Sequence, residues 1–525
     1  MPNNWAVICG AVRDDLDFKL TVAELVGLRS RGLLDGLILS TWEGEVEAWD
    51  GLSEALADLG VAVIASRDVP VAGPANYWRQ LKAFHVGLQA TPAGCGVLKT
   101  RTDKVVSLLA GLVPYLQKGP RPATAYGRQE PVFQHRLGVL HAVATMPGTT
   151  SDLMFYGTRA DLERVAHLDG HMDNCAYQPK LNPCFSWINT PAAPVFPILR
   201  EALEHIDPNA LSNALVRYGL EGKGDELPDY LVRLLAAGFV LYGTSLDVVG
   251  PPRCPDSLTL EILLGHREKQ PGVNSKFRTA TAKTIFKSQE PLRRLLAGDW
   301  GADASPDGLR LKEAMDAIAS GTPAGRCLTQ SRMDAVRAFL DRWAPANRPS
   351  CRSAPVIPLD APLASTIRSR EDALARLGMQ PSGIRMSDGE TAVINRLLAR
   401  SSALQKRTER TVVDIAERYL AGNELPVDPE KAVLWAKRAA DRKFPSAQFL
   451  LGKCFRDGLG VKPSEERAAL WFGRAAQRNY PPAQYAFGRL LEKGEDPPRG
   501  RALIAEAEKA GYRPGGAGAE EDCHE

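Results

Sequence analysis

The C-terminal part of the chain repeats itself at a fixed interval of 36 residues, which constrains its fold more than any other feature of the sequence. The interval links small and aromatic residues of successive copies: Trp435 with Trp471, Ala439 with Ala475, Ala440 with Ala476, Ala447 with Ala483, Gly452 with Gly488, and Gly458 with Gly494. A period of this length is typical of stacked helical hairpins, in which small residues let two helices approach closely. The sequence therefore predicts an all-α solenoid over residues 411–513.

The central copy carries three motifs in order: Ala-x-x-x-Leu-Gly, then Gly-x-Gly-Val, then Ala-x-x-Trp-x-x-x-Ala-Ala. This pattern resembles the Sel1-like repeats, helical hairpins of the tetratricopeptide class. The first copy has Ala416 in place of the Gly of Leu-Gly, and the third is shortened and lacks the Trp. The resemblance implies a scaffold that binds a protein partner. The alternative is that the repeats only shield the neighbouring domain.

Short apolar stretches alternate with helical patterns in the N-terminal part of the chain. The apolar stretches cover 5–9, 36–40, 61–65, 96–98 and 137–144, and the helical patterns lie near 18–31, 46–59 and 76–90. This alternation predicts an α/β fold with an open parallel sheet and helices on both faces. Because ligands of such sheets bind beyond the carboxyl ends of the strands, the segments to inspect are 10–15, 41–45, 66–68 and 99–104.

Composition and turn signals place the remaining boundaries. We assign 1–190 to the α/β domain and 191–343, which is mostly helical with several prolines, to an extension of that domain. Prolines at 345, 349, 355, 358 and 362 mark a linker over 344–386. Ser387 and Glu390 have the spacing of a capping box and predict a connecting helix over 387–410. Residues 514–525 are expected to form a disordered tail.

The charge balance argues against a nucleic-acid-binding protein. Lysine and arginine total 65 against 62 aspartates and glutamates, a formal net charge of +3, so there is no global basic field. Between 267 and 294, however, eight basic residues outnumber two acidic ones. Such a patch could hold an anionic lipid-linked acceptor or make a peripheral contact with the inner face of the cytoplasmic membrane. The alternative is a solvated helix face.

We expect a cytoplasmic protein. The N-terminal residues lack the basic segment of a signal peptide, and no apolar run reaches the length of about 18 residues that a membrane span needs. The 9 cysteines are scattered, without the close pairs of a disulfide framework or a zinc site. They are predicted to be buried small apolar residues in a reducing compartment.

Four motifs follow one another over residues 5–165: Leu39-Ser-Thr-Trp-Glu43-Gly-Glu45, Asn76-x-x-Arg-Gln80 with Gly87-Leu88, Leu98-Lys-x-Arg101-Thr-Asp103, and Ser151-Asp152 before Phe155-x-Gly157. In this order and spacing they resemble the WavE-type lipopolysaccharide-synthesis proteins, a family of proposed glycosyltransferases. The resemblance implies a GT-A-like fold and a nucleotide-sugar donor. GT-A enzymes carry a metal-binding Asp-x-Asp at this strand end. Here Arg101 occupies the first Asp position, which leaves Asp103 as the one carboxylate.

The resemblance and the strand-end placement together assign roles to individual residues. Asp103 is expected to bind Mn²⁺ or Mg²⁺, although it could instead cap a helix. Asp152 is the first candidate for the catalytic base, and Asp169 with His171 the second. The residues expected to contact the donor are Thr41, Trp42, Glu43, Asn76, Arg79, Gln80, Lys99 and Arg101. The alternative for Lys99 and Arg101 is a solvated pair, and for Asp152 a turn.

The resemblance thus implies a glycosyltransferase that moves a sugar from a nucleotide-sugar donor to a saccharide or lipid-linked saccharide of the cell surface. Its repeats would recruit a protein partner. The alternative is a non-catalytic adaptor, in which the repeats are the functional part and the α/β domain is a degenerate nucleotide-sugar-binding domain. The single carboxylate at the strand end favours this alternative.

Overall fold

A computed structural model describes most of the chain in two compact units. The described residues are 3–12, 15–69, 76–102, 109–143, 145–168, 187–221, 226–249, 285–286, 290–298, 306–322, 327–343, 361–377, 384–403, 408–441, 443–494 and 496–512. The first unit comprises Met1–Asp14 and Leu28–Arg348, and the second comprises Asp15–Gly27 and Pro349–Glu525.

A seven-stranded sheet forms the centre of the first unit. The described strands, of which β6 and β9 lie outside this sheet, are β1 (Asn4–Cys9), β2 (Gly36–Trp42), β3 (Val61–Ser66), β4 (Gly96–Arg101), β5 (Leu137–Val139), β6 (Ala142–Val143), β7 (Phe155–Thr158), β8 (Leu246–Val248) and β9 (Ile285–Phe286). The sheet order is β3-β2-β1-β4-β7-β5-β8, and β6 pairs separately with β9. The first four strands are mutually parallel, and β7 is antiparallel to β4 and β5. The predicted α/β character is confirmed, but the sheet is mixed rather than wholly parallel because β7 runs antiparallel to its two neighbours.

The strands after β4 differ from the sequence prediction. The apolar stretch 137–144 forms two short strands, β5 and β6, rather than one. In addition, β8 lies within the segment predicted to be helical and extends the sheet by pairing with β5. Strands of two or three residues are too short to show an alternating pattern, so they cannot be recognised from periodicity.

Helices connect and flank these strands. In chain order they are α1 (Asp15–Ser30), α2 (Leu52–Asp58), α3 (Tyr77–Gln89), α4 (Leu109–Lys118), α5 (Arg159–Val165), α6 (Asn189–Ala192), α7 (Pro197–His205), α8 (Pro208–Glu221), α9 (Asp229–Ser245), α10 (Glu290–Leu296), α11 (Pro306–Ala319) and α12 (Gln330–Trp343). On α3, a Cβ at Gly87 would lie 2.5 Å from Val7 Cγ1. Glycine at this position therefore allows α3 to pack closely against the sheet.

The second unit is helical. Its helices are α13 (Ala361–Arg376), α14 (Asp388–Ala403), α15 (Thr408–Ala421), α16 (Pro429–Asp441), α17 (Pro445–Asp457), α18 (Glu465–Ala476), α19 (Pro481–Lys493) and α20 (Pro497–Lys509). The predicted linker contains α13, so this part of it is helical rather than extended. The capping box is confirmed at the start of α14: Ser387 Oγ accepts a hydrogen bond from the Glu390 N–H (3.3 Å), and Glu390 Oε2 accepts one from the Ser387 N–H (2.8 Å).

Small residues and aromatic rings pack the repeated hairpins, as the sequence predicted. Trp435 and Ala447 are fully buried, and a Cβ placed on Gly452 would overlap the Phe472 ring. Within the described residues, no helix combines the length and apolar character needed to cross a membrane. The tail 514–525 lies outside the described residues.

Candidate functional site

The carboxyl ends of β1 and β4 lie side by side, with Cys9 opposite Arg101 in the parallel register. From β1 the chain continues to β2 on one side, whereas β4 lies on the other side of β1. Such a reversal of strand order leaves a crevice at the carboxyl edge, where open α/β sheets bind their ligands. This edge is the candidate functional site.

Hydrogen bonds tie the two strand ends together. Thr102 Oγ1 donates to the Ala11 carbonyl oxygen (2.8 Å), and the Thr102 N–H donates to the Cys9 carbonyl oxygen (3.1 Å). Gly10 has a φ of 126°, and a Cβ there would lie 2.8 Å from Thr102 Oγ1. A glycine is needed at this position both for its backbone conformation and for the close approach of Thr102.

The turn after β2 supports the loop after β1. Glu45 Oε2 accepts a hydrogen bond from the Val12 N–H (3.0 Å), and Trp49 Nε1 donates to the Val12 carbonyl oxygen (3.2 Å). Glu45 closes a motif that the sequence analysis recognised, but its contact was not predicted. A contact across 33 sequence positions leaves no periodic signal that could have revealed it.

Arg101 and Asp152, two of the predicted site residues, form an ion pair at this edge. Arg101 Nη1 lies 2.6 Å from Asp152 Oδ2, and the two side chains are 20% and 12% exposed. The same Nη1 donates to Gln80 Oε1 (3.2 Å), which brings a third predicted residue into the cluster. Gln80 comes from α3, Arg101 from β4, and Asp152 from the loop before β7. The structure thus joins three of the predicted residues in one hydrogen-bonded group.

Lys99 precedes Arg101 by two residues in β4 and is fully buried. Its ammonium donates a hydrogen bond to the Asp152 carbonyl oxygen. It also lies 5.6 Å from the ring centroid of Phe155 and 5.3 Å from that of Trp187. A buried ammonium over two aromatic faces is stabilised by cation–π attraction. Lys99 therefore fixes the backbone of the loop that carries Asp152.

Phe155 and Trp187 are the residues of this site that sequence reasoning missed. Phe155 stood in the fourth recognised motif, but the sequence offered no reason to place its ring against a lysine. Trp187 follows residues 169–186, which lie outside the described residues. For a lone tryptophan, an apolar core position is the usual interpretation of a sequence.

Cys9 shows the electrostatic character of the edge. Burial raises the pKa of its thiol to about 12, although the positive charges of Lys99 and Arg101 offset part of that increase. Cys9, Cys95 and Cys454 are buried and Cys327 is half-buried, as expected for small apolar residues in the described part of the chain.

The other predicted donor-binding residues lie along β2 and the start of α3. Thr41 and Trp42 are buried, with exposures of 0% and 4%, and Trp42 belongs to the apolar core. The exposed Glu43 carboxylate lies 3.8 Å from the Arg67 guanidinium. Among the described residues, no hydrogen bond or ion pair joins these three positions to the cluster of Gln80, Arg101 and Asp152.

Asn76 and Arg79 occupy the first turn of α3. Asn76 is the N-cap, with a left-handed φ of 60°, and its side chain makes no capping hydrogen bond. Arg79 Nε donates to Asp68 Oδ1 (2.8 Å), and its Nη2 also bonds the Asp68 carboxylate. Arg79 is therefore engaged with the segment that follows β3.

Three predicted residues lie outside the described residues: Asp103, Asp169 and His171. Most of the basic segment 267–294 lies outside them as well. In the part of the chain that the structure describes, no group of three or more His, Cys, Asp or Glu side chains could hold a metal ion.

The comparisons with known proteins concern the repeats. The family model described as Sel1 repeat matches residues 413–444 and 445–480. Residues 413–480 are Sel1 repeats. The matched copies contain all of α16, α17 and α18 and residues 413–421 of α15. The predicted repeat family is therefore confirmed there. Among the curated proteins, none matches the chain.

The solved structures that are similar to the chain include the following two. One is a Sel1 repeat protein from Oxalobacter formigenes, 26% identical over 27% of this chain, with a TM-score of 0.20. The match spans 51% of the length of that protein. The other is a protective antigen of uropathogenic Escherichia coli strains, described as displaying an SLR fold. It is 13% identical over 67% of this chain and 68% of its own, with a TM-score of 0.20.

Proposed function

We propose that the first unit is a glycosyltransferase that uses a nucleotide-sugar donor to extend a surface polysaccharide or lipopolysaccharide, and that the Sel1 repeats bind a protein partner. The observation that carries the proposal is the reversal of strand order between β1 and β4, with Arg101 and Asp152 at that edge. An open sheet with a cation at its ligand-binding edge suits a diphosphate.

The transfer reaction gives each residue a task. The bond between the anomeric carbon and the diphosphate oxygen breaks, and the diphosphate leaves with the bonding electrons. The acceptor oxygen forms the new bond and gives its proton to a base. We assign Arg101 to the diphosphate and Asp152 to the proton, because charge that develops in the transition state must be stabilised there.

The described residues do not by themselves fit a metal ion. Of the nearby carboxylates, Asp152 pairs with Arg101 and Glu45 accepts a hydrogen bond from the Val12 backbone. The proposal of Mn²⁺ or Mg²⁺ therefore rests on Asp103 alone.

A screen of nucleotide sugars against the full chain tests the proposal. Thermal stabilisation identifies the donor, since a ligand at 100 times its Kd stabilises the folded state by about 2.7 kcal/mol. Transfer and donor hydrolysis are then measured with and without Mn²⁺ or Mg²⁺. We expect turnover by the wild type, its loss in Asp152→Asn, which removes the proposed base, and its loss in Asp103→Asn, which removes the proposed metal ligand.

Asp58→Asn is the matched control for this experiment. Asp58 is exposed and ends α2 just before β3, at the opposite edge of the sheet, so removing its charge should leave turnover unchanged. If no nucleotide sugar stabilises the protein, the proposed function is wrong. If Asp152→Asn turns over as fast as the wild type, the proposed mechanism is wrong. If Asp103→Asn does so, only the assignment of a metal to Asp103 is wrong.

The non-catalytic adaptor remains a second candidate, favoured by one observation. The ion pair between Arg101 and Asp152 engages the two residues that the reaction would need for different tasks. An adaptor of this kind would be stabilised by a nucleotide sugar without turning it over, which the same screen detects.

A further inference from the structure

The pairing of Arg101 with Asp152 places a protein carboxylate where the proposed function requires a phosphate. A guanidinium binds carboxylate and phosphate oxygens with the same planar donors, so the two anions are alternative partners for it. At 20% exposure the Arg101 side chain is reachable from solvent, and the 12% exposure of Asp152 keeps the pair only weakly hydrated.

The surroundings of the pair hold the loop in place whether or not the carboxylate bonds Arg101. Lys99 anchors the Asp152 carbonyl oxygen from below, and Gln80 Oε1 accepts a second hydrogen bond from Arg101 Nη1. The backbone of the loop and the guanidinium are therefore each fixed by a contact that does not involve the carboxylate. Rotation of the Asp152 side chain would break the ion pair with Arg101 while these two contacts remain.

We propose that the Asp152 carboxylate occupies the position on Arg101 that the donor diphosphate takes when it binds. This proposal rests on the proposed function. In the donor-free protein the carboxylate neutralises Arg101 and is itself held away from an acceptor. When the diphosphate binds Arg101, the carboxylate is released from the guanidinium and becomes able to accept a hydrogen bond from the acceptor hydroxyl.

A double-mutant cycle with inorganic pyrophosphate and Mg²⁺ tests the displacement. Calorimetric affinities are measured for the wild type, Arg101→Gln, Asp152→Asn and the double variant of the full chain. We expect Asp152→Asn to bind pyrophosphate about threefold to tenfold more tightly, because the competing carboxylate is gone. Arg101→Gln should bind more weakly, and the double variant should match Arg101→Gln.

The double variant separates displacement from simple repulsion between two anions. If Asp152→Asn tightens binding equally in the Arg101→Gln background, the carboxylate acts only through its charge and the proposal is overturned. Asp58→Asn removes the same charge at the opposite sheet edge and should not alter the affinity. Asp152→Glu keeps the negative charge, so its affinity for pyrophosphate should stay near the wild-type value. Thermal unfolding of each variant checks that it is folded. If Asp152→Asn folds poorly, Asp152→Glu takes its place in the comparison.

The outcomes distinguish this proposal from the proposed function. Weaker binding by Arg101→Gln with no tightening by Asp152→Asn overturns the displacement but leaves the phosphate site intact. Unchanged binding by Arg101→Gln, or no binding by any variant, overturns the displacement and also removes Arg101 from the donor site.

Discussion

Glu390 is a buried carboxylate whose hydrogen bonds join the start of α14 to two helices of the repeats. It accepts hydrogen bonds from Lys431 Nζ (2.6 Å) and Tyr419 Oη (2.9 Å), and from the Ser387 N–H and Oγ (both 2.8 Å). Burial alone would raise its pKa, but these donors outweigh burial and hold the pKa of Glu390 at about 2. The carboxylate is therefore more stable in the folded protein than in the unfolded chain.

Replacing Glu390 by Gln should destabilise the second unit by about 1–3 kcal/mol at neutral pH, because Lys431 loses its charged partner. A carboxylate with a lowered pKa stabilises the fold above its unfolded pKa of 4.5 and ceases to do so as the pH falls towards 2. The difference in unfolding temperature between the wild type and Glu390→Gln should therefore narrow as the pH falls from 4.5 towards 2.

Glu430→Gln is the control for that measurement, since Glu430 is an exposed residue in the first turn of α16. Its effect should be small and should not follow the same pH dependence. If the wild type exceeds Glu390→Gln in unfolding temperature by as much at pH 3 as at neutral pH, the ionised Glu390 carboxylate does not stabilise the fold as proposed.

The sequence identified Gln80, Arg101 and Asp152 as site residues but not that they touch. Strand ends and motif order locate residues along the chain, and the topology of the sheet then brings positions 80, 101 and 152 together. The side-chain contacts arise from the loop before β7, whose course depends on Lys99, Phe155 and Trp187. A single sequence contains no local signal for such contacts.

At the scale of elements, glycines determine how closely the repeat helices pack. A Cβ at Gly452 would overlap the Phe472 ring, and Gly488, one repeat later, would place its Cβ 2.7 Å from the Gly500 carbonyl oxygen. Gly452→Ala should therefore destabilise the second unit by about 1–3 kcal/mol through overpacking. Chemical denaturation followed by circular dichroism measures the change.

Gly389→Ala is the matched control, because Gly389 lies in the first turn of α14 and a Cβ there would meet no atom within 4 Å. Alanine favours helix over glycine by up to about 1 kcal/mol, so this variant should be neutral or more stable. Equal destabilisation by both variants would show that the close packing is not responsible.

Elements with a long, uniform pattern were predictable, and those without one were not. The apolar runs of β1 to β4 and the 36-residue period of the repeats gave the correct element types. By contrast, α13 lies in a segment interpreted as a linker from its prolines. Pro362 is in the first turn of α13, where the missing N–H is not required, so this proline begins a helix rather than breaking one.

At the scale of the whole molecule, α1 links the two units through the chain itself. It connects β1 to β2 in sequence, yet Asp15–Gly27 groups with the second unit. Every residue from Asp17 to Leu28 is buried except Lys19. The fully buried Arg370 guanidinium lies 3.7 Å from Glu24 Oε1. A helix buried on all faces depends on partners beyond its own neighbours in sequence.

A fragment of residues 1–348 should therefore lose protection in α1. In hydrogen exchange, amides of 17–27 should exchange at least about tenfold faster in the fragment than in the full chain, because local opening costs less free energy there. The strands β1 and β4 serve as the internal reference. Equal protection of α1 in the two proteins would show that it does not depend on the second unit.

In the proposed function, the diphosphate of a nucleotide sugar binds at the carboxyl edge of β1 and β4. A crystal structure of the full chain with a nucleotide sugar chosen from the screen tests it most directly. We expect diphosphate oxygens within about 3 Å of the Arg101 guanidinium, beside the loop that follows Cys9. A diphosphate bound elsewhere, with Arg101 still paired to Asp152, would contradict the claim.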